Sequence, residues 1–470
     1  MPEVSARVRA AGYVAGSPVV RDSEISVDRG ELRLIVGPSG SGKTTFILAA
    51  LGVLKHILGG FVEGEVRIAG VDPLSPEGYA ELARRVGVVL QEPEKQIAMP
   101  TPLDELTFIL ENYGVEREEA ARRARRLLDA FGLGGKASES VERLSIGERR
   151  RLTLAASLAH DPPVIFMDEP TASLDPWGIG ELRASLAALA KERAVVVAEH
   201  KPVYFSDLSS GTYYAAGGRL AEVDYDPRRL EALGVDAGAW TCREPGGAPG
   251  SIVLEARGLE VGYRERRVAG PLDLELRGGE AVAVVGPNGS GKTTLLKTLA
   301  GLIRRLGGEV RASARPFYVP QVPDYLFVER TVEGELRDAA RRGGAGLGEL
   351  ESLYPWYSEA RGRSPLRLSH GQKRWLSLLV AYGYSGRALL LDEPSTGLDL
   401  SLLRELARLI RELKGRGAAV LISTHDPRIV AEVADRAYVL SGGRLREADR
   451  CRLVRELYRA AGVAQWPGAG

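Results

Sequence analysis

A nine-residue phrase occurs twice in this chain with a single change, as GPSGSGKTT at 37–45 and GPNGSGKTT at 286–294. Both copies fit G-x-x-x-x-G-K-[ST], a spacing suited to gripping phosphate. The glycines let the backbone turn its N–H groups onto phosphate oxygens at the start of a helix. In the first copy this assigns contacts to Gly37, Pro38, Ser39, Gly40, Ser41, Gly42, Lys43, Thr44 and Thr45. In the second it assigns them to Gly286, Pro287, Asn288, Gly289, Ser290, Gly291, Lys292, Thr293 and Thr294. Lys43 and Lys292 supply positive charge for β- and γ-phosphates, and Thr44 and Thr293 offer a hydroxyl to Mg²⁺.

Two carboxylate pairs follow. Asp168 and Glu169 close the run VIFMDEP, and Asp392 and Glu393 close ALLLDEP, 125 and 100 positions after the loop lysines. Asp168 and Asp392 are the expected Mg²⁺ partners, and Glu169 and Glu393 the expected polarisers of an attacking water. The division of roles is expected from strand alternation, since successive side chains point to opposite faces. Gln91 and Gln321 each follow a strand-like run and are placed to touch the metal or the water. His200 and His425 end further apolar runs, from which a side chain can reach a γ-phosphate. Tyr13 and Tyr263 precede the glycine loops by 24 and 23 residues, where an aromatic can stack on a base. His56 and His160 have no counterpart in the other copy and read as structural.

These groups need a scaffold, and the sequence supplies one in duplicate. LRLIV and AVAVV precede the two loops, and FILAAL and LLKTLA follow them, which gives strand, loop and helix in order. Wholly apolar runs suit a parallel sheet covered on both faces, with ligands at the carboxyl ends of its strands. Further landmarks recur in register: VLQEP with VPQVP, LSIGE with LSHGQ, VVVAEH with VLISTH. From the serine of LSIGE or LSHGQ to the aspartate of DEP the interval is 23 in both copies, and from that aspartate to the histidine it is 32 and 33. From loop lysine to glutamine it is 48 against 29, so the second copy is trimmed by 19 residues in a stretch expected to hold accessory strands and connections. The expected division is a first copy at 1–225, a linker at 226–250, a second copy at 251–447, and a C-terminal helix and tail at 448–470. The linker carries a short helix candidate at Arg228–Leu233 and, as a flexible coil, spans on the order of 25–30 Å.

Composition narrows the class. The 470 residues are 44% hydrophobic and 27% charged, with a net charge of +1, so neither a nucleic-acid-binding field nor an acidic tail is indicated. Cys242 and Cys451 are the only cysteines, which excludes a disulfide framework or a cysteine-rich metal site. No apolar run approaches the roughly 20 residues of a membrane-crossing helix, and no signal-peptide core opens the chain, so a cytoplasmic location is expected. Two Asn, five Gln and three Met are few for this length, a scarcity of thermolabile side chains that fits a thermophile.

The set of glycine-loop, glutamine, LS-x-G-E/Q, DEP…LD and terminal histidine resembles the ATP-binding-cassette ATPases, in two copies covering about 425 of the 470 residues. The resemblance implies an α/β fold of two P-loop cassettes. Each would have a RecA-like, mainly parallel sheet, an accessory antiparallel β region and a helical subdomain, and the two would form a pseudo-two-fold, head-to-tail pair within one chain. It implies ATP with Mg²⁺ as ligand and cofactor. It also implies that the signature of each cassette faces the nucleotide of the other: Ser145, Gly147 and Glu148 toward Lys292, and Ser369, Gly371 and Gln372 toward Lys43. Asp175 and Asp399 would lie at that junction. Both signatures depart from the family pattern, with Ile146 and His370 in place of the middle glycine, which leads to an expectation of two competent but unequal sites.

Three kinds of cassette protein compete. VLQEPEKQI and the following ELTFILENYGVEREEAARRARRLLDAFGL resemble the ATPases of energy-coupling-factor importers of vitamins and metal ions. That implies separate transmembrane scaffold and substrate-binding subunits docking near Gln91–Gln96 and Gln321–Asp324, with Glu92, Glu94 and Asp324 as acceptors for a scaffold arginine. The protein would then lie on the inner face of the membrane. The alternatives are a sugar-importer ATPase, which commonly has a degenerate second loop, and a twin cassette acting on ribosomes, which typically carries a charged helical linker and NHLD in place of ASLD and TGLD.

Overall fold

A computed structural model describes residues 2–463 apart from 92, 173, 239, 245, 247 and 248, and without the side chains of 93, 94 and 146. The described chain divides into two compact units, 2–174 with 178–238 and 175–177 with 240–463.

In the first unit the apolar runs pair into a six-stranded sheet. Its spatial order is Val86–Val89, Val164–Asp168, Ala194–Glu199, Leu32–Val36, Gly211–Ala216 and Arg219–Val223. All neighbours are parallel except the last pair. The central strands are buried along their whole length, as expected where helices cover both faces. The second unit repeats the order with Phe317–Val319, Ala388–Asp392, Ala419–Thr424, Ala281–Val285, Arg436–Ser441 and Arg444–Ala448.

Each unit adds a three-stranded antiparallel sheet, Val20–Val27, Val4–Gly12 and Phe61–Ile68 in one and Arg266–Arg277, Ile252–Tyr263 and Gly307–Ala312 in the other. The trimming of the second copy therefore spares the accessory strands. It removes instead the short helix Val53–His56 and the helix Pro76–Leu82, the latter standing in the first unit between accessory strand and sheet, where the second unit runs from Ala312 to Phe317 directly.

Helical parts follow the glutamines: Pro102–Asn112, Arg117–Ala130 and Ile146–Leu158 in the first unit, and Val332–Arg342, Leu347–Ser352 and His370–Ser385 in the second. Thr101 and Thr331 cap the first helix of each set, accepting from the N–H groups of Asp104 and Gly334. The first set packs a small apolar core of its own, around Leu106, Ala120, Leu128 and Leu152, whereas Val332, Leu336, Leu350 and Leu376 of the second join one cluster with the sheet residues Leu389 and Val420.

Residues 226–238, expected as part of a flexible connection, pack onto the first unit. The helix Pro227–Ala232 is capped by Asp226, Leu230, Val235 and Ala237 are buried, and the Tyr225 hydroxyl donates to the Ala237 carbonyl at 2.7 Å. Leucine and valine at that spacing find an apolar surface, so the stretch gains more by packing than by staying extended. The C-terminal basic segment forms the helix Arg450–Ala460, with Leu453, Val454, Leu457 and Tyr458 inward. Among the described residues no helix is long and apolar enough to cross a membrane.

Candidate functional site

Each glycine loop joins the central strand of its sheet to a helix, Lys43–Ala50 or Lys292–Leu299. The turn needs glycine at two points. Gly42 and Gly291, which precede the helices, have φ of 100° and 104°, a left-handed conformation costly for other residues. A Cβ on Gly37 or Gly286 would stand 2.4 Å from the Ala215 carbonyl or 2.2 Å from that of Leu440.

Lys43 Nζ donates to the carbonyls of Gly37 and Pro38 at 2.8 and 3.1 Å, and Lys292 Nζ to those of Gly286 and Pro287 at 2.8 and 3.2 Å. Lys292 Nζ also stands 3.8 Å from Glu393 Oε1. Burial lowers the Lys292 pKa, and the Glu393 charge opposes the shift. Thr45 and Thr294 are buried, while Ser39, Gly40, Asn288 and Gly289 face outward. Ser41 Oγ, Ser290 Oγ and Asp168 Oδ1 are buried without a hydrogen-bond partner among the described residues. Leaving such atoms unsatisfied costs roughly 1–3 kcal/mol each. Phosphate oxygens and a hard cation are the partners these oxygens fit, with the Thr44 hydroxyl and the Asp168 carboxylate together offering the oxygen donors Mg²⁺ prefers.

The two acidic pairs are built differently from the strand alternation expected. Asp168 and Asp392 end their strands, but Glu169 and Glu393 leave strand geometry, with φ of 48° and 45°. Their N–H groups still bond across the sheet, to the Ala198 carbonyl at 2.8 Å and that of Ser423 at 2.9 Å. A left-handed turn at a non-glycine residue, repeated in both copies, re-aims the carboxylate, and such strain persists only where the surroundings enforce it.

Around Glu169, Gln91 Nε2 donates to Oε2 at 2.8 Å and His200 Nε2 meets Oε1. His200 Nδ1 lies 3.3 Å from Lys43 Nζ and 3.1 Å from the Gly37 carbonyl, so one ring joins loop, lysine and glutamate. Burial alone would raise Glu169, but the His200 bond and the charges of His200, Lys43 and Lys201 hold it below the usual carboxylate range. In the second unit His425 approaches Glu393 through Nδ1, at 2.9 Å, and its N–H donates to Oε2 at 3.3 Å. Gln321 is exposed, and its carbonyl accepts from Arg374 Nη2 at 2.6 Å.

The aspartates differ most. Asp392 accepts three hydroxyl bonds: from Thr293 at 3.1 Å, from Ser423 at 2.5 Å and from Tyr318 at 2.8 Å. Ser423 and Tyr318 have Ala198 and Val88 at the matching sheet positions of the first unit, as the strand register shows. Asp168 thus keeps the Thr44 bond but one bare oxygen, and burial, with the Glu169 charge, pushes its pKa up to about 6. Comparison of the two copies could not have found Tyr318 and Ser423, because neither residue recurs.

The signature serines open the helices Ile146–Leu158 and His370–Ser385, and each forms a reciprocal cap. Ser145 Oγ accepts from the Glu148 N–H at 3.3 Å while Glu148 Oε2 accepts from the Ser145 N–H at 2.8 Å; Ser369 and Gln372 do the same at 3.3 and 3.1 Å. The S-x-x-E/Q spacing was the available signal for this cap. Lys136 pairs with Glu148 at 2.8 Å, a charge partner that Gln372 does not require. His370 Nε2 lies 3.1 Å from the Thr396 carbonyl. Leu402 packs where a Cβ on Gly371 would be, at 2.5 Å, whereas Gly147 opens on an apolar cleft of about 660 Å³ lined by Leu154, Met167 and Leu182. A recurring residue was also missed: Arg150 and Arg374, five positions after each serine, donate to the carbonyls of Pro170 and of Pro320 and Gln321.

Tyr13 and Tyr263 stand half-exposed at the end of accessory strands, Tyr13 Oη 3.4 Å from Thr45 Oγ1. Asp399 caps the helix Leu400–Gly415 by accepting from the Leu402 N–H at 3.0 Å, and Asp175 immediately precedes the helix Pro176–Leu189. Of the expected docking acceptors, Glu92 and the Glu94 side chain lie outside the described residues. Asp324 is not a lone acceptor, because its carboxylate pairs with Lys373 Nζ at 2.8 Å. The lysine follows Ser369 on the same unit and neutralises it locally.

Comparison with known proteins places these features in context. Residues 20–172 match the family model described as ABC transporter, and 281–346 with 352–431 match one described as an AAA domain. A protein of Methanosarcina mazei, provisionally named as an ABC transporter ATP-binding protein, is 30% identical over 461 residues, which cover 92% of each chain. One of Bacillus subtilis, provisionally named as the HMP/thiamine import ATP-binding protein YkoD, is 27% identical over 474 residues, 90% of this chain and 87% of that one. Among solved structures, one titled as the complex of archaeal ribosomal stalk protein aP1 with the archaeal ribosome recycling factor aABCE1 has the same fold. It aligns with a TM-score of 0.66 at 21% identity, covering 92% of this chain and 89% of that one.

Proposed function

The chain belongs to the ABC transporter ATP-binding proteins and is an ATPase, and from that premise we propose that it is the twin-cassette subunit powering an importer of the energy-coupling-factor type. The single observation that carries the importer reading is likeness along nearly the whole chain, in a two-cassette arrangement, to a protein whose name specifies HMP/thiamine import. The VLQEPEKQI stretch supports it. On this reading the subunit lies against the inner membrane face through separate scaffold and substrate-binding partners, with the stretches Gln91–Gln96 and Gln321–Asp324 nearest them. Vitamins or metal ions are the cargo class.

The proposed chemistry assigns roles to residues already positioned. The loop N–H groups with Lys43 and Lys292 hold the β- and γ-phosphates of ATP. Thr44 with Asp168 and Thr293 with Asp392 are the residues that would hold Mg²⁺, which would offset phosphate charge. Glu169, kept ionised by His200, accepts a hydrogen bond from water aligned against the γ-phosphate, and Gln91 orients that carboxylate through its 2.8 Å bond. Glu393 and His425 do the corresponding work in the second unit. Tyr13 and Tyr263 offer ring faces to adenine.

The test is to express the chain with its natural membrane neighbours and isolate it from detergent extracts. Co-isolation of a membrane scaffold with a vitamin- or metal-binding subunit is the expected result. Recovery with ribosomal particles, and none with membranes, would overturn the importer assignment while leaving the ATPase intact.

A further inference from the structure

The only two cysteines of the chain are 209 positions apart, and the second unit brings them together. Cys242 lies in the stretch 240–244 that enters the unit, and Cys451 is the second residue of the helix Arg450–Ala460. Stretch and helix are fastened at several points. The Trp240 N–H donates to Tyr458 Oη at 3.3 Å, and the Arg243 N–H donates to the Ala431 carbonyl at 3.0 Å. The buried Arg450 guanidinium donates to the carbonyls of Ala434 and Arg243. The nitrogen bonded to Arg243 also lies 3.9 Å from Cys451 Sγ. The residue after one cysteine is therefore bonded to the residue before the other. Both thiols are half-buried.

From this placement we propose that Cys242 and Cys451 form an intramolecular disulfide that clips the entry segment of the second unit to its last helix. The oxidant is a low-molecular-weight or protein disulfide, RS–SR. The Cys451 thiolate attacks one sulfur and releases RS⁻. Cys242 then displaces the second RS⁻, forming the Cys242–Cys451 bond. The protein loses two electrons and two protons, and the donor leaves as two RSH. Burial and then the hydrogen bond to Cys451 push the Cys242 thiol up, and that bond puts the two thiols within reach of each other. Arg243 and Arg450 line an open cavity of about 1100 Å³, room for a glutathione-sized donor to approach.

The clip closes a loop containing nearly all of the second unit, and such cross-links restrain the unfolded chain more as the loop lengthens. The first unit, 2–174 with 178–238, contains no cysteine, so oxidation acts on the stability of one cassette alone. Disulfides inside cells are rare except in hyperthermophiles, with which the amide-poor composition agrees.

The experiment uses the full chain purified without reductant, exposed to oxidised glutathione and then alkylated under denaturing conditions. The expected product takes up no alkyl group, is about 2 Da lighter than the reduced chain, and yields a peptide pair joined through Cys242 and Cys451. Its second unit should unfold several degrees higher than in the reduced protein. Cys242→Ser and Cys451→Ser should each abolish that redox dependence while leaving ATP hydrolysis unchanged. Two alkylated cysteines after oxidation, a glutathione adduct without ring closure, or a disulfide-linked dimer would each overturn the proposal. Identical unfolding of cross-linked and reduced protein would overturn the clip.

Discussion

Asp168 should make the first unit weaken as pH rises through the weakly acidic range, and replacing it by Asn should strengthen that unit at neutral pH. The buried carboxyl has its pKa raised from 3.8 to about 6 by burial and the neighbouring Glu169 charge. The folded state therefore holds this proton where the unfolded chain has lost it, so stability contributed by the protonated form is complete below about pH 4 and is lost as pH climbs to about 6. At 1.36 kcal/mol per pKa unit, the displacement amounts to about 3 kcal/mol. Asp168→Asn carries no charge to bury and retains an oxygen for the Thr44 hydroxyl, so in EDTA it should exceed the parent by about 2–3 kcal/mol at pH 7.5 and match it near pH 4. Amide exchange of the strands Val164–Asp168 and Ala194–Glu199 reads this locally, apart from the second unit. Asp392→Asn is the contrast. It replaces one of the two oxygens that accept three hydroxyl bonds by an NH₂ group, so at least one donor loses its acceptor, and it should destabilise its own unit by about 1–3 kcal/mol. An Asp168→Asn variant no more stable at pH 7.5, or a gap that persists unchanged to pH 4, would refute the reasoning.

Glu169→Gln with Glu393→Gln should still bind ATP but barely hydrolyse it; near-normal turnover in a phosphate-release assay sinks the assignment of these carboxylates. Ala198→Ser places a hydroxyl where Ser423 stands in the second unit, and should move the Asp168 pH transition to lower pH in the same exchange measurement. Ser145→Ala and Ser369→Ala each delete a cap worth about 1 kcal/mol of local helix stability. Their effects on turnover should be unequal, and equal losses would argue against two unlike sites. Lys136→Ala should weaken the cap at Glu148 and raise that residue's pKa, observable by carboxyl chemical shifts, because burial then acts with less opposition.

Local pattern carried much of the molecule. The glycine-loops, the apolar strands before them and the DEP turns depend on residues within a few positions of one another, and both copies folded into the sheets that those runs implied. The caps at Ser145 and Ser369 were also legible, since three residues separate the reciprocating groups. The turn at Glu169 and Glu393 was not, because alternation along a strand says nothing of where the strand ends. Asp324 likewise looked available until Lys373, 49 positions later, was seen against it.

What the sequence by itself determined is the chemistry each copy can perform, because phosphate, cation and water are met by residue types at short, conserved intervals between the two halves. Tertiary structure decided how the halves differ. Tyr318 and Ser423 reach Asp392 from 74 and 31 positions away, through strand pairings that in the first unit bring only Val88 and Ala198. Cys242 and Cys451 meet only because the last helix folds back beside the segment that enters the second unit. Satisfying a buried oxygen or joining two sulfurs depends on which chain passes within about 3–4 Å, and that distance is set by packing over the whole unit rather than by any local run of residues.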